Sequence, residues 1–527
     1  MPPNMALMSL CFFAVTAFCS VAQTADSADS SSQRADRMSA RVDELLDKKL
    51  QELGWQAAPA CDDSSFLRRA HLDLTGTAPS GSEVLEFINN PKPSKRGELI
   101  ERLSASPMAS VHLANTWSDW LLPEVSSPEV QMGRSGLQSW LRRRFSENLR
   151  YDRLVADLLV STGTIQNGPT AFFVALERKP EKIAAKTARV FMGIQLDCAE
   201  CHNHPFDNWK QVDFWGFAAY FSRLATNEEQ RMNPAEEVVD AAEGEVKLPG
   251  TEQVIAPKPL VETGFSGLAT GTRRQQLTLW LTAPENPFLA RAAVNRAWSL
   301  LFGRGLIEPI DDMRSLEMAS HPELLGELST YFAESGYDLR GLLNMLTSTK
   351  AYHRAITHTN GEPPDASYAV MSTKPLTETQ LSTCLAQVAR QIAGDQNAQA
   401  QRALMSQLGK LRGDSSRAQL GIVQALVTLH GEAFETVSRD GSSRLLQALN
   451  APHMDNAKRL QWLFLSTLNR KPTPAEVAAF SSVIPEASEN QPTGSAPTEM
   501  PLSDAGTSWQ SDLLWALINS TEFAMTP

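Results

Sequence analysis

The sequence predicts a mainly α protein of two helical domains joined by an acidic, Pro-containing linker. Three observations carry that expectation. Apolar residues recur at three- and four-residue spacing through most of the chain. Helix start and stop residues bracket those stretches. No convincing run of strand alternation and no repeat of fixed period interrupts them. At 527 residues the chain exceeds one ordinary core, so at least two domains are expected. Hydrophobic residues at 42% and charged residues at 20% describe a soluble globular protein. The net charge of −12 argues against general nucleic-acid affinity, which needs a basic surface. Arg142-Arg143-Arg144, the densest basic run, reads as a solvated helix face.

Residues 1–22 read as a signal peptide. Ala6 to Ala22 is apolar, with Leu10, Phe12, Phe13, Val15 and Phe18, and Ser20-Val21-Ala22 offers small residues before a cut. No Lys or Arg precedes Arg34, a departure from the usual positive start. The alternative is an uncleaved anchor, for which about 17 apolar residues is the short limit. Only then would the protein touch a membrane. The expected location is exported, periplasmic or otherwise extracytoplasmic. Cleavage would leave Cys61, Cys198, Cys201 and Cys384, too few for a disulfide scaffold.

Residues 23–37 form a Ser/Asp/Ala-rich leader expected to be disordered. The first domain spans 38–226. Val42, Leu45, Leu46 and Leu50 define an amphipathic helix, and Ser80 with Glu83 a capping box. Further helices are expected over Lys95–Leu103 and Pro107–Leu121, and after Asp152 as N-cap. Pro180 opens a helix that runs through Ala184, Ala188, Phe191 and Ile194. Residues 227–272 are acid-rich with Pro234, Pro257 and Pro259, and read as the linker. The second domain spans 273–527. Asn286-Pro287 opens its first clear helix and Gly303 stops it; Ser320 with Glu323 forms another capping box, and Asp338 starts the next helix. Helices at Glu378–Ile392, Arg417–Leu429, Asn456–Leu468, Glu476–Val483 and Gln510–Ile518 complete the expectation, with a Pro/Ser/Thr loop over Ser488–Ser508.

The chemistry concentrates in Cys198-Ala199-Glu200-Cys201-His202-Asn203-His204-Pro205-Phe206-Asp207-Asn208-Trp209. C-x-x-C-H is the spacing of c-type haem attachment: Cys198 and Cys201 for the vinyl groups, His202 for the iron. Pro205 forbids simple helix continuation, so a helix end and turn are expected here. Met192, Met232, Met313, Met318 and His321 are candidate distal ligands, though a Met in an apolar pattern is more often core. The rival reading is a haem-free zinc site of Cys198, Cys201 and His204, with Asp207 as fourth ligand or as a partner orienting an imidazole. A plain C-x-x-C dithiol or disulfide is a third reading. The blandest is structural, with His204, Phe206 and Trp209 packing the turn. Two lesser clusters stand out: His71 with Arg69 and Asp73, equally an ion-paired surface, and Asp311-Asp312 with Arg314 and His321, equally an ordinary loop. Gly303-Arg304-Gly305 reads as a helix stop and turn, and no G-x-S-x-G, Walker or H-E-x-x-H pattern occurs.

The first half resembles the planctomycete-type PSCyt domain of the second kind. The residues that carry this are Phe66 to Gly76, Trp117-Ser118-Asp119-Trp120, and Ala188 to Gly193 running into Cys198 to Trp209. The second half resembles the PSD domain of the first kind. Its carriers are Asn286 to Arg291, Val294 to Trp298, Leu301 to Leu306, Asp311 to Arg314, Ser320 to Leu325, and Trp515 to Ser520. Both are domains of unknown function in cytochrome-like exported proteins. The resemblance implies export and a cytochrome-like character, and no known reaction. A redox or docking partner is expected but not identified, and the second domain reads as scaffold or docking surface.

Overall fold

The chain is mainly helical in a computed structural model, which describes residues 31–122, 128–165, 168–203, 208–226, 237–263, 271–389, 443–451, 454–481 and 508–527. Helix α1 covers 31–52, so the leader expected to be disordered through 37 is helical from 31 onward. Its Val42, Leu45, Leu46 and Leu50 face the core as their spacing demands. Helices α2 (Asp63–Thr75), α3 (Gly81–Asn89), α4 (Lys95–Ser104), α5 (Pro107–Leu121), α6 (Pro128–Ser146), α7 (Tyr151–Leu159), α8 (Ala171–Ala175), α9 (Pro180–Thr187) and α10 (Gln211–Ala218) follow. The second segment contributes α11 (Arg273–Leu281), α12 (Pro287–Phe302), α13 (Pro322–Glu334) and α14 (Leu339–Thr347). Then come α15 (Glu378–Ala389), α16 (Arg444–Leu449), α17 (Asn456–Thr467), α18 (Pro474–Ser481) and α19 (Trp509–Ile518). Among the described residues no helix is long and apolar enough to cross a membrane. The expected signal segment, the Arg417–Leu429 helix and nearly all of the Ser488–Ser508 loop lie outside them.

The caps explain the boundaries. Asp62 accepts the Ser64 and Ser65 amides to open α2, and Gly76 closes it at φ 67, where a side chain would also strike the His112 ring. Asn286 accepts the Phe288 amide at the start of α12, and Gly303 ends it at φ 79. Two expected caps differ. Asp152 lies inside the first turn of α7, bonded to Arg150 rather than to the backbone. Ser320 bonds the Leu306 carbonyl instead of capping α13, whose N-cap is His321.

The expected linker is structured where it is described. Strands β1 (Gly163–Thr164), β2 (Leu224–Thr226) and β3 (Glu237–Asp240) pair antiparallel in the order β1-β3-β2, and β4 (Val246–Lys247) pairs with β5 (Val254–Ile255). Its acids are counter-charges. Asp240 takes a bidentate pair from Arg274 at 2.8 and 2.7 Å, and Glu245 meets Arg273 at 2.7 Å. Strands of two to four residues are too short to show alternation, and acids chosen for pairing resemble acids chosen for solvation.

The hydrophobic core runs across the expected domain boundary and takes in Val238 and Leu260 of the linker. One cluster joins Val42, Phe66, Trp117, Phe191 and Phe214 with Leu289, Trp298, Leu325, Leu346 and Tyr352. A second gathers α15, α16, α17 and α19 around Leu72 of α2, and a last pair, β6 (Lys374–Pro375) with β7 (Met525–Thr526), closes the chain against it.

Helix α2 is the hub, and its charged run is buried rather than an ion-paired surface. Arg69 (0% exposed) donates to the Arg354 carbonyl at 3.0 Å and also to Tyr352. Arg68 reaches the Asn469 side chain at 2.6 Å and the Phe523 carbonyl at 2.8 Å. Asp73 accepts from the Tyr352 hydroxyl at 2.9 Å and from the Lys374 ammonium at 2.5 Å. That ammonium also caps the α12 carbonyls of Leu300 at 3.0 Å and Leu301 at 2.6 Å. His71 faces Glu83 at 3.3 Å, which helps hold that carboxylate down at about 2.

Asp73→Ala should lower unfolding free energy by about 3 kcal/mol, because it strands a largely buried ammonium and a buried phenol. Urea titration followed by far-UV circular dichroism measures it; a midpoint equal to wild type would contradict the hub. Acid should also weaken the fold. Burial holds His112, His321 and His353 down at about 4, below the ordinary 6.5, so the unfolded chain takes up their protons first. Their contribution is complete above pH 6.5 and is lost as pH falls from 6.5 to about 4. The urea midpoint should therefore fall across that window, and His112→Gln should flatten the slope.

Candidate functional site

The cysteine motif sits at the end of an interrupted helix. Pro180 takes the first position of α9, which stays regular to Thr187 and then widens into a π-turn, Ala188–Met192. Gly193 ends it at φ 69, its amide reaching back to the Ala188 carbonyl. A 3-10 turn over Asp197–Glu200 follows, with Cys201 as its C-cap.

That turn orients the thiols. In a 3-10 turn residues three apart eclipse one another, so C-x-x-C places both sulfurs on one side. Leu196 and Ala199 are fully buried and pin the opposite side, leaving Cys198, Cys201 and His202 exposed. Both cysteines are free thiols, so the disulfide reading does not describe this state. His202 Nδ1 lies 2.8 Å from the Asn203 carbonyl oxygen. A carbonyl only accepts, so Nδ1 is the donor in this bond and Nε2 is the ring nitrogen left to face outward.

The exit side is held by α10. Gln211 Nε2 donates to the Cys201 carbonyl at 2.9 Å and the Glu200 carbonyl at 3.1 Å, and Trp215 Nε1 to Glu200 at 3.0 Å. Asn203 accepts the Gln211 amide at 3.0 Å, so the residue after the motif caps the next helix.

The entry side is held from the second segment. Arg296 of α12 donates from Nε to the Val190 carbonyl at 3.0 Å and from Nη2 to Arg189 at 2.8 Å. Gln195 reaches Asp311 at 2.9 Å. Arg189 spans Asp311 at 3.3 Å and Asp197 at 2.6 Å. The Met313 amide donates to the Gly193 carbonyl at 2.6 Å, and a side chain on Gly193 would come within 2.7 Å of the Met313 methyl. Burial, and after it the Arg189 charge, lowers the Arg296 pKa, whereas that of Arg189 is raised, Asp197 and Asp311 outweighing its burial.

The expected site residues are thus partly assembled. Cys198, Cys201 and His202 share one surface turn, and Trp209 is half-buried against the main core. His204 and Asp207 lie outside the described residues, as does Met232. The described residues contain no group of three His, Cys, Asp or Glu that could hold a metal. Of the distal candidates, Met192 and Met313 are core, Met318 is surface, and His321 packs on Tyr368 with its Nδ1 near the Ser320 hydroxyl. The Asp311–His321 cluster separates: Asp312 pairs with Arg314 at 2.8 Å, and Asp311 joins the cysteine segment. Arg296, Arg189, Gln195, Gln211 and Trp215 escaped the reading. Arg296 alone left a signal, a charge set among the apolar positions Ala293, Val294, Ala297 and Trp298.

Two family models match, in this order: PSCyt2, protein of unknown function (DUF1549), over residues 41–226, and PSD1, protein of unknown function (DUF1553), over residues 273–419. No curated protein and no solved structure matches the chain.

Thiol reactivity should split sharply. Burial pushes the Cys61 and Cys384 thiols up, whereas Cys198 and Cys201 are exposed. A maleimide pulse on the reduced, cofactor-free chain, read by peptide mass mapping, should modify the motif pair at least ~100-fold faster. Similar rates at all four would mean that the turn is not on the surface.

Proposed function

We propose that this chain, a PSCyt2 domain followed by a PSD1 domain, binds one haem covalently through Cys198, Cys201 and His202 for electron transfer or a redox step. The observation that carries the reading is the turn itself. Two free thiols share its outer side, next to an imidazole whose Nδ1 proton is committed to a backbone carbonyl. That is the donor set haem attachment uses, and a ring held through Nδ1 would leave Nε2 for the iron. Each thiol would add across one vinyl double bond, its sulfur and its hydrogen taking the two carbons, with no redox agent consumed. His202 would offer Nε2 to the iron. The haem supplies the one-electron couple. Around it this chain provides a rigid anchor, with buried Leu196 and Ala199 below the turn and Gln211 and Trp215 gripping its exit. Haem attachment outside the cytoplasm also agrees with the export signal read in residues 1–22.

The test is expression of the full chain in a host with haem-attachment machinery. The haem should survive denaturing electrophoresis and give a c-type pyridine haemochrome at one per chain. The double variant Cys198→Ser, Cys201→Ser should abolish both signals. A wild-type chain without haem, beside a control cytochrome that matures normally, sinks the proposal. Equimolar zinc in its place, released by Cys198→Ser, would establish the Cys198, Cys201, His204 and Asp207 site instead.

A further inference from the structure

We infer that the PSD1 segment is the clamp that sets the cysteine turn, with Arg296, Asp311 and Met313 as its positioning residues. The function this gives the clamp rests on the attachment reading above; the clamp itself rests on contacts.

The argument begins with a backbone that cannot satisfy itself. A helix end leaves its last carbonyls without amide partners, and the π-turn shifts the pairing by one residue, so that Gly193 reaches back to Ala188. Val190 is buried and the chain leaves the helix immediately afterwards, so no following amide can serve the Val190 carbonyl. A buried carbonyl without a donor is strongly unfavourable. Arg296 supplies donors to both Val190 and Arg189 from more than a hundred residues downstream. It is itself only 4% exposed and, among the described residues, has no carboxylate within ion-pair distance. Its guanidinium lies 5.0 Å from the Trp120 ring centroid. A charge in so apolar a place is explained by the carbonyls it completes.

Contacts continue toward the first cysteine without a gap. Met313 holds Gly193, Asp311 holds Gln195, and Asp311 reaches Asp197 through the bridging Arg189 guanidinium. Asp197 is the residue before Cys198. The loop that delivers Asp311 and Met313 is itself fastened to α12: Asn295 bonds both the amide and the carbonyl of Ile307 at 3.0 Å, and the Tyr368 hydroxyl reaches the Gly305 carbonyl at 2.8 Å. One block therefore contacts residues 189, 190, 193 and 195 directly and reaches 197 only through Arg189.

The test uses the full chain. Asp311→Asn is the mild variant, because its side chain is 18% exposed and it lies outside both main clusters. Arg296→Lys keeps the charge but not the two-pronged donation. Amide hydrogen exchange of the cofactor-free protein should accelerate roughly tenfold over residues 194–203 in each, the effect of losing a charge-assisted bond. Exchange in α2 and the Asp311→Asn urea midpoint should stay at wild-type values, and Asp311→Glu should restore slow exchange. In the haem-attaching host, the haem per chain should fall severalfold in Asp311→Asn. Unchanged exchange over 194–203 in both variants overturns the clamp, and so does acceleration spread equally over the whole chain. A wild type that carries no haem while its variants still show the local acceleration refutes the attachment reading alone. Haem loaded equally by all, with exchange unchanged, refutes the clamp alone.

Discussion

The ion pair between Asp73 and Lys374 is the interaction on which the remaining geometry depends. Desolvation pushes the carboxyl up and the ammonium down, and mutual attraction with hydrogen bonds opposes both. The pair is tolerable because no donor or acceptor in it goes unused: the carboxylate also takes the Tyr352 hydroxyl, and the ammonium caps Leu300 and Leu301. One contact therefore fixes α2, the segment after α14 and the C-terminal end of α12 together. Since α12 also carries Arg296, its placement decides where the guanidinium meets the π-turn, 106 residues away in sequence at Val190.

From that helix the dependence runs outward. Asn295 orders the loop behind α12, the loop presents Asp311 and Met313, and these meet the chain just before Cys198. The two family segments are distinct along the sequence, yet they complete each other's hydrogen bonds and share one apolar cluster. A cysteine pair on the surface is easily reached by solvent and also easily disordered. Here it is exposed on one side and held from below, from α10 and from the second segment.

Much of the fold was legible because its signals are local. Asn286-Pro287 and Gly303 bracket α12, Pro107 opens α5, Pro474 opens α18, and Asp338 accepts the Gly341 amide at the start of α14. Each works through bonds within four residues, and a sequence displays those. What escaped depends on distance. The charges of α2 look solvated because their partners, such as Asn469 and Lys374, lie hundreds of residues away. The motif was visible in its spacing, but the helix before it stops at Met192, short of the expected Ile194, and its π-turn was not foreseen. A one-residue widening leaves the apolar pattern of Ala184, Ala188 and Phe191 intact, so periodicity cannot reveal it.

The order of synthesis follows from the same contacts. Cys201 emerges about a hundred residues before Asp311. At roughly 5–20 residues per second that interval lasts several seconds or more. During it the two sulfurs travel on an unfinished chain whose helix end has no donors. The clamp forms only later, and the final strand of the second cluster arrives last of all. The two thiols are thus carried on a pliable peptide first and on a braced turn afterwards.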